Sequence, residues 1–336
     1  MSGARVARAL ADPALWDGVD SPDSWNTLIA AARAEQLIGS VATRLEGIAM
    51  PHAAARILAD ARASAEQGRV AALWEAEAAR RALAPLGVPV VLLKGTAFVA
   101  AGLDAGRGRA IGDLDILVPR EHLDAVEAAL LAAGWEWVKP DPYDDAYYRR
   151  WMHELPPLIH RERDRMIDVH HTILPPTARP TPDAALLIAD AVPLENGLSV
   201  LSNEDMVVHA AAHLFADGDL QGGLRNLWDI DRLVREFSDR DAGFVAKLTT
   251  RAARHQLSDA VARALRLARR IYDTPGGAEP VASDALFARR LLARDGWGRL
   301  RHKGTEFGFY VRSHWLRMPP AMLARHLWTK FRKARS

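Results

Sequence analysis

The chain has 336 residues, 49% of them apolar and 26% charged, the balance of an ordinary globular protein with room for two domains or one core with a large appendage. It contains no cysteine, which excludes a disulfide framework, thiolate zinc sites, iron–sulfur clusters and a cysteine nucleophile. The formal net charge is only +2, but ten of the 44 Lys/Arg residues and a single acid, Glu306, lie between Arg299 and Ser336, a basic end suited to phosphates, nucleic acid or an acidic lipid surface.

No apolar run is long enough for a transmembrane helix. Asp12, Pro13 and Asp17 break the N-terminus where a signal peptide needs a continuous apolar stretch. A cytoplasmic protein is expected.

Residues 1–85 read as an N-terminal helical segment, with Leu28, Ala31, Ala32 and Leu37 at helical spacing. Ser24 or Asp23 is the expected cap of that helix, and Pro51 fits the start of a long helix that ends at Pro85–Gly87. The texture then changes, and residues 86–200 read as a mixed α/β core. The spacing predicts buried strands over Val88–Leu93 and Asp113–Val118, then a helix through Leu123, Val126, Leu130 and Leu131. Further strands are expected at Trp135–Val138, Leu155–His160 and Met166–His171. Prolines at 175, 176, 180 and 182 mark a boundary or crossover. Residues 201–336 read as a C-terminal helical domain with the basic end. Ser202 caps its first helix, and others are expected near 223–236, 240–256, 258–272, 283–295 and 319–333. The fold class is therefore α+β, a mixed sheet flanked by helices.

The sharpest chemical signal is Asp113-Leu114-Asp115 at the start of a strand. Alternation puts both carboxylates on one face, about 7 Å apart along the strand. Close carboxylates repel unless a cation sits between them, and hard oxygen ligands favour Mg²⁺ or Mn²⁺. Asp168 alternates with apolar Ile167 and Val169, which lets it face the same pair; His170 shares its face. Lys94-Gly95-Thr96 ends the preceding strand and opens a helix, where free backbone N–H groups favour a phosphate. Arg107 and Arg109 precede the aspartate pair, and arginine suits bidentate phosphate contacts.

The combination LLKGTAF, a loop arginine, IGDLDILV and IDVHHTIL resembles a bacterial family of uncharacterised nucleotidyltransferases within the polymerase-beta-like nucleotidyltransferase superfamily. Such proteins read as a Lys-Gly turn, an arginine, an Asp-Leu-Asp-Leu-Leu-Val strand and an Ile-Asp-Leu-His strand. The segment LSNEDMVVHAAAHLF…LRNLWDIDRLV resembles that family's helical half, with His213, Arg225 and Asp229 at matching places. The resemblance covers roughly residues 86–237. It implies transfer of a nucleoside monophosphate from a nucleoside triphosphate to a hydroxyl of a small molecule or protein. Asp113, Asp115 and Asp168 would be the catalytic and metal-binding carboxylates. Lys94, Gly95, Thr96 and Arg109 would bind the nucleotide, and threonine in place of the usual serine keeps the hydroxyl. His170, His213, Arg225 and Asp229 would support the site or face the acceptor. Either Asp113→Asn or Asp115→Asn is expected to abolish transfer and leave the fold intact.

Two readings of other classes stand beside it. One is a non-catalytic nucleotide- or RNA-binding module using Trp315, Trp328 and Phe331 interleaved with Arg312, Arg317, Arg325, Lys330, Arg332 and Lys333. The other is a metallohydrolase. His209 and His213 share a helix face, with Asp229, Asp231 or His170–His171 completing the ligands.

Overall fold

A computed structural model describes residues 2–16 and 21–317, together with Trp328 and Arg332. Four helices come first: α1 (Ser2–Ala11), α2 (Pro22–Ala34), α3 (Ile38–Arg44) and α4 (His52–Leu83). The sheet segment follows with β1 (Val91–Leu92), α5 (Lys94–Ala100), β2 (Asp113–Leu117), α6 (Leu123–Ala132), β3 (Trp135–Trp137), α7 (Pro142–Trp151), β4 (Leu158–His160) and β5 (Met166–His170). After it come α8 (Ala184–Ala189), β6 (Val192–Pro193) and β7 (Ser199–Val200). The C-terminal helices are α9 (Asn203–Ala212), α10 (Gly223–Arg240), α11 (Phe244–Arg254), α12 (Ser258–Tyr272), α13 (Asp284–Leu291) and α14 (Lys303–Arg317).

The strands form one mixed sheet in the order β3-β4-β5-β2-β1-β7-β6. β2 and β5 are parallel neighbours at its centre, and β1 lies antiparallel to β2 and parallel to β7. α4 and α5 pack on β2, while α9 packs against α10, α11 and α12. α1 contacts α2, α3 and α12, and Ser2 N donates to Arg294 O, so the first helix packs against the segment that follows α13. A single cluster of buried apolar side chains runs from Val6 to Phe309. No described helix is long and apolar enough to cross a membrane.

The α+β architecture is as expected, and the differences have local causes. The cap of α2 is Ser21, not Ser24 or Asp23, because Pro22 takes the first helical position and Ser21 Oγ accepts from Ser24 N. The β1 strand keeps only Val91–Leu92 of the apolar run, since Lys94 already begins α5. β4 starts at Leu158 rather than Leu155 because Pro156 and Pro157 offer no N–H to a ladder. α7, with Asp141 as its cap, α8, the β6–β7 hairpin and α14 were not expected. Of the helix expected at 319–333, all but Trp328 and Arg332 lies outside the described residues.

Candidate active site

β2 and β5 pair in register, with Asp115 opposite Asp168 and Leu117 opposite His170. Side chains two apart share a strand face. Asp113 and Asp115 therefore meet Asp168, and one carboxylate oxygen from each lies within 4.8 Å of the others. The alternating residues Leu114, Ile116, Ile167 and Val169 are buried. Asp113 is exposed, whereas Asp115 is only 3% exposed.

Asp115 Oδ1 accepts from Lys94 Nζ at 2.6 Å and lies 3.0 Å from His170 Nε2. Burial opposes its ionisation, but the Lys94 ammonium and the His170 contact prevail and hold the carboxyl well below the usual range. Burial likewise opposes the Lys94 charge, and Asp115 overrides it, raising the ammonium above its ordinary value. Asp168 shifts the other way. Burial, then the neighbouring Asp115 and Glu154 carboxylates, push it up to about 7. An all-oxygen cluster in which burial and neighbouring carboxylates keep one member from ionising fits a hard divalent ion.

The Lys-Gly-Thr turn sits directly beside this face. Lys94 has φ +49°, a left-handed conformation uncommon outside glycine. A Cβ on Gly95 would lie 1.9 Å from Arg109 Nη1, so glycine is what lets the guanidinium reach the turn. Arg109 Nε donates to Asp229 Oδ2 at 3.0 Å in a pair buried on both sides. Thr96 is 1% exposed, and its Oγ1 has no hydrogen-bond partner. Arg225 Nη1 donates to the Ala110 carbonyl at 3.3 Å, and burial, then Arg109, lower it to about 10.

His209 on α9 and His213, which opens a π-helical turn (His213–Asp217), face the same place from the helical side. Together with Lys94, Arg109, Arg225 and Asp229 they line a cavity of about 30 Å³, room for a water. Burial keeps both imidazoles neutral, His209 well below its usual range and His213 at about 3. A larger cavity of about 330 Å³ lies beyond the arginine loop, lined by Ile38, Gly39, Ile57, Ser64, Gly108 and Ile111.

A family model described as Uncharacterised nucleotidyltransferase matches residues 21–273. The chain belongs to the uncharacterised nucleotidyltransferase family. No curated protein matches it. The family match reaches beyond the motif-bearing stretch in both directions, taking in α2–α4 and α11–α12. It ends before α13, α14 and the basic end.

Sequence-expected residues from the α/β core and from the C-terminal helices converge. Asp113, Asp115, Asp168, Lys94 and His170 form one connected group, and Arg109, Arg225, Asp229 and His213 form the neighbouring one. The ligand set of a His209/His213 metallohydrolase is not assembled among the described residues. Asp229 is engaged by Arg109, and Asp231 by Arg232, Arg235 and Thr274. In the basic segment, Arg312 donates to the Phe215 carbonyl and stacks over Phe287, so it anchors α14 rather than facing outward. Trp315 and Trp328 are exposed; Phe331, Arg325, Lys330 and Lys333 lie outside the described residues. His153 and Glu154 beside His170 were missed by sequence reasoning. They sit in a short irregular segment with no periodicity to read, and only topology brings them to β5.

Proposed function

We propose that the chain transfers a nucleoside monophosphate from a nucleoside triphosphate to a hydroxyl of a small molecule or protein, with Mg²⁺ or Mn²⁺ held by Asp113, Asp115 and Asp168. The observation that carries this reading is the in-register meeting of three carboxylates, Asp168 among them displaced to about 7. The acceptor oxygen attacks the α-phosphorus, the bond to the bridging oxygen breaks, and pyrophosphate leaves. Held by Asp113, Asp115 and Asp168, a divalent ion would supply positive charge against the transferring phosphoryl group.

The chain's own residues do the positioning. Asp168, ionised once a cation is beside it, takes the acceptor's proton. His170 steadies Asp115 from the side away from solvent. The Lys94–Thr96 turn receives the triphosphate, supported by the unpartnered Thr96 hydroxyl and by Arg109, which Asp229 holds against Gly95. Arg225 and His213 close the helical side, where the acceptor docks. Phosphoryl-type transfer asks chiefly for such positioning and charge neutralisation, and no side-chain nucleophile is needed.

Calorimetry with ATP, GTP, CTP and UTP, with and without Mg²⁺, tests the reading on the wild type beside Asp113→Asn. Metal-dependent binding of a triphosphate that the variant loses supports it. Absence of binding by all four removes it.

A further inference from the structure

Next to the carboxylate face is a second cluster that shares only His170 with it. His153 and Glu154 follow α7 on a segment laced to β5: Leu155 N donates to Val169 O, and His171 N donates to His153 O. A β-bridge joins Glu154 to His170. Glu154 Oε2 lies 3.4 Å from His170 Nδ1 and 3.7 Å from His153 Nε2. The two imidazoles face each other with ring centres 5.2 Å apart and planes tilted by 33°. One donor atom from each of the three residues lies within 4.8 Å of the others.

His170 is 1% exposed and His153 9%, and the Nδ1 atom of each has no hydrogen-bond partner. A buried ring nitrogen without a partner is costly. That of His170 is the atom turned toward Glu154, where His153 presents its other nitrogen, Nε2, and a cation held among the three would satisfy it. The spacing indicates which. Ligands about 2.0–2.1 Å from a tetrahedral ion stand about 3.3 Å from one another. Glu154 and the imidazoles are already close to that separation.

We propose that His153, Glu154 and His170 form a binding site for a borderline transition-metal ion, Zn²⁺ foremost, distinct from the acidic triad. Two imidazoles and one carboxylate are a donor set for such an ion, whereas Mg²⁺ takes the all-oxygen triad. Glu154 keeps 20% of its side chain exposed, which leaves a way in for the ion and a place for a water as fourth ligand. An ion on Nδ1 of His170 fixes the proton on Nε2, the nitrogen 3.0 Å from Asp115 Oδ1. That is the carboxylate–histidine–metal arrangement in which a second carboxylate orients the ligating ring. One imidazole then links the two centres, and the ion holds it in the tautomer that Asp115 needs.

The test is Co²⁺ titration of the metal-stripped full chain with Mg²⁺ in excess, followed by visible absorption and by Zn²⁺ displacement. One Co²⁺ per chain is expected, with the strong visible bands of a four-coordinate site, in the wild type and in Asp113→Asn. His153→Gln and Glu154→Gln should each lose the bands and weaken Zn²⁺ binding at least tenfold. Glu154→Gln reads the site even if the buried His153→Gln fails to fold, because Glu154 lies at its rim. Absence of bands in the wild type overturns the proposal, as does their persistence in folded Glu154→Gln. Loss of the bands in Asp113→Asn alone also overturns it, by placing the ion on the acidic triad.

Discussion

Lys94 Nζ and Asp115 Oδ1 stand 2.6 Å apart, joining the phosphate-type turn to the buried member of the carboxylate triad. Lys94 reaches there from a left-handed backbone, a conformation that costs a non-glycine residue about 1–2 kcal/mol. Strain of this kind persists only where its surroundings enforce it, and it gathers at functional sites. Here the ion pair enforces it. The ammonium also supplies the charge that Asp115 needs to stay ionised, and keeps a cation poised between the turn and the carboxylates.

The two strand aspartates should therefore behave differently when neutralised. Asp113 is exposed, so Asp113→Asn should lower transfer by at least about 100-fold with little change in melting temperature. Asp115→Asn leaves the Lys94 ammonium without its anion in a largely buried setting, where breaking a pair costs about 3–5 kcal/mol. The sequence-based expectation that both variants keep the fold intact is thus revised for Asp115. Turnover and thermal melts on both variants check this, and a fully active, folded Asp113→Asn removes Asp113 from the metal site.

Metal binding should show a distinct pH dependence. Without an ion, the folded chain holds Asp168 protonated up to about pH 7, while the unfolded chain releases that proton near 3.8. The native state then binds more protons across this window, so Asp168 makes the metal-free protein less stable as pH rises from about 4 to 7. An ion beside the carboxylate relieves that loss. Mg²⁺ should raise the melting temperature clearly at pH 8 and little at pH 5.5, where it must displace a proton. Asp113→Asn should abolish the increment at pH 8. An equal rise at both pH values argues against binding at the triad.

Local signals in the sequence were enough to find Asp113, Asp115, Asp168 and His170, because strand alternation assigns faces without knowledge of the fold. That Asp115 and Asp168 lie opposite one another depends on the parallel pairing of β2 with β5, a contact across more than fifty residues that no local pattern encodes. The partners of Lys94 and Arg109 were hidden for the same reason. Both read as phosphate ligands, and the structure commits them first to Asp115 and Asp229. α7 was missed because it is polar on all sides and buries none of its residues, leaving no apolar stripe to detect.

The buried imidazoles set an acid limit. His171 is held at about 4 and His213 at about 3, chiefly by burial, and His209 lies well below its ordinary value. Unfolding lets each return to about 6.5, so between that pH and about 4 the unfolded chain binds more protons. Stability contributed by these rings is complete above pH 6.5 and is lost as pH falls through the window, with His171 alone worth up to about 3 kcal/mol. His209→Gln cannot take up a proton there, so its unfolding free energy should fall less steeply between pH 6.5 and 4 than that of the wild type. Denaturant unfolding at stepped pH measures the slope, and parallel curves would show that His209 does not contribute.

The Arg109–Asp229 pair couples the arginine loop to the C-terminal helices, and Gly95 is the space it occupies. Gly95→Ala places a methyl where Arg109 Nη1 now lies, 1.9 Å away, so the guanidinium must move or the turn must open. Asp229→Asn removes the carboxylate that fixes the same guanidinium and leaves it buried without a counter-charge, at about 3–5 kcal/mol. If Arg109 serves the triphosphate from this fixed position, both changes should weaken nucleotide binding, at least tenfold for Gly95→Ala. They should separate in stability, with Asp229→Asn the more destabilised. The double variant should lose less affinity than the two single losses combined, because both act through one guanidinium. Additive losses would show instead that Gly95 and Asp229 act on the nucleotide by independent routes.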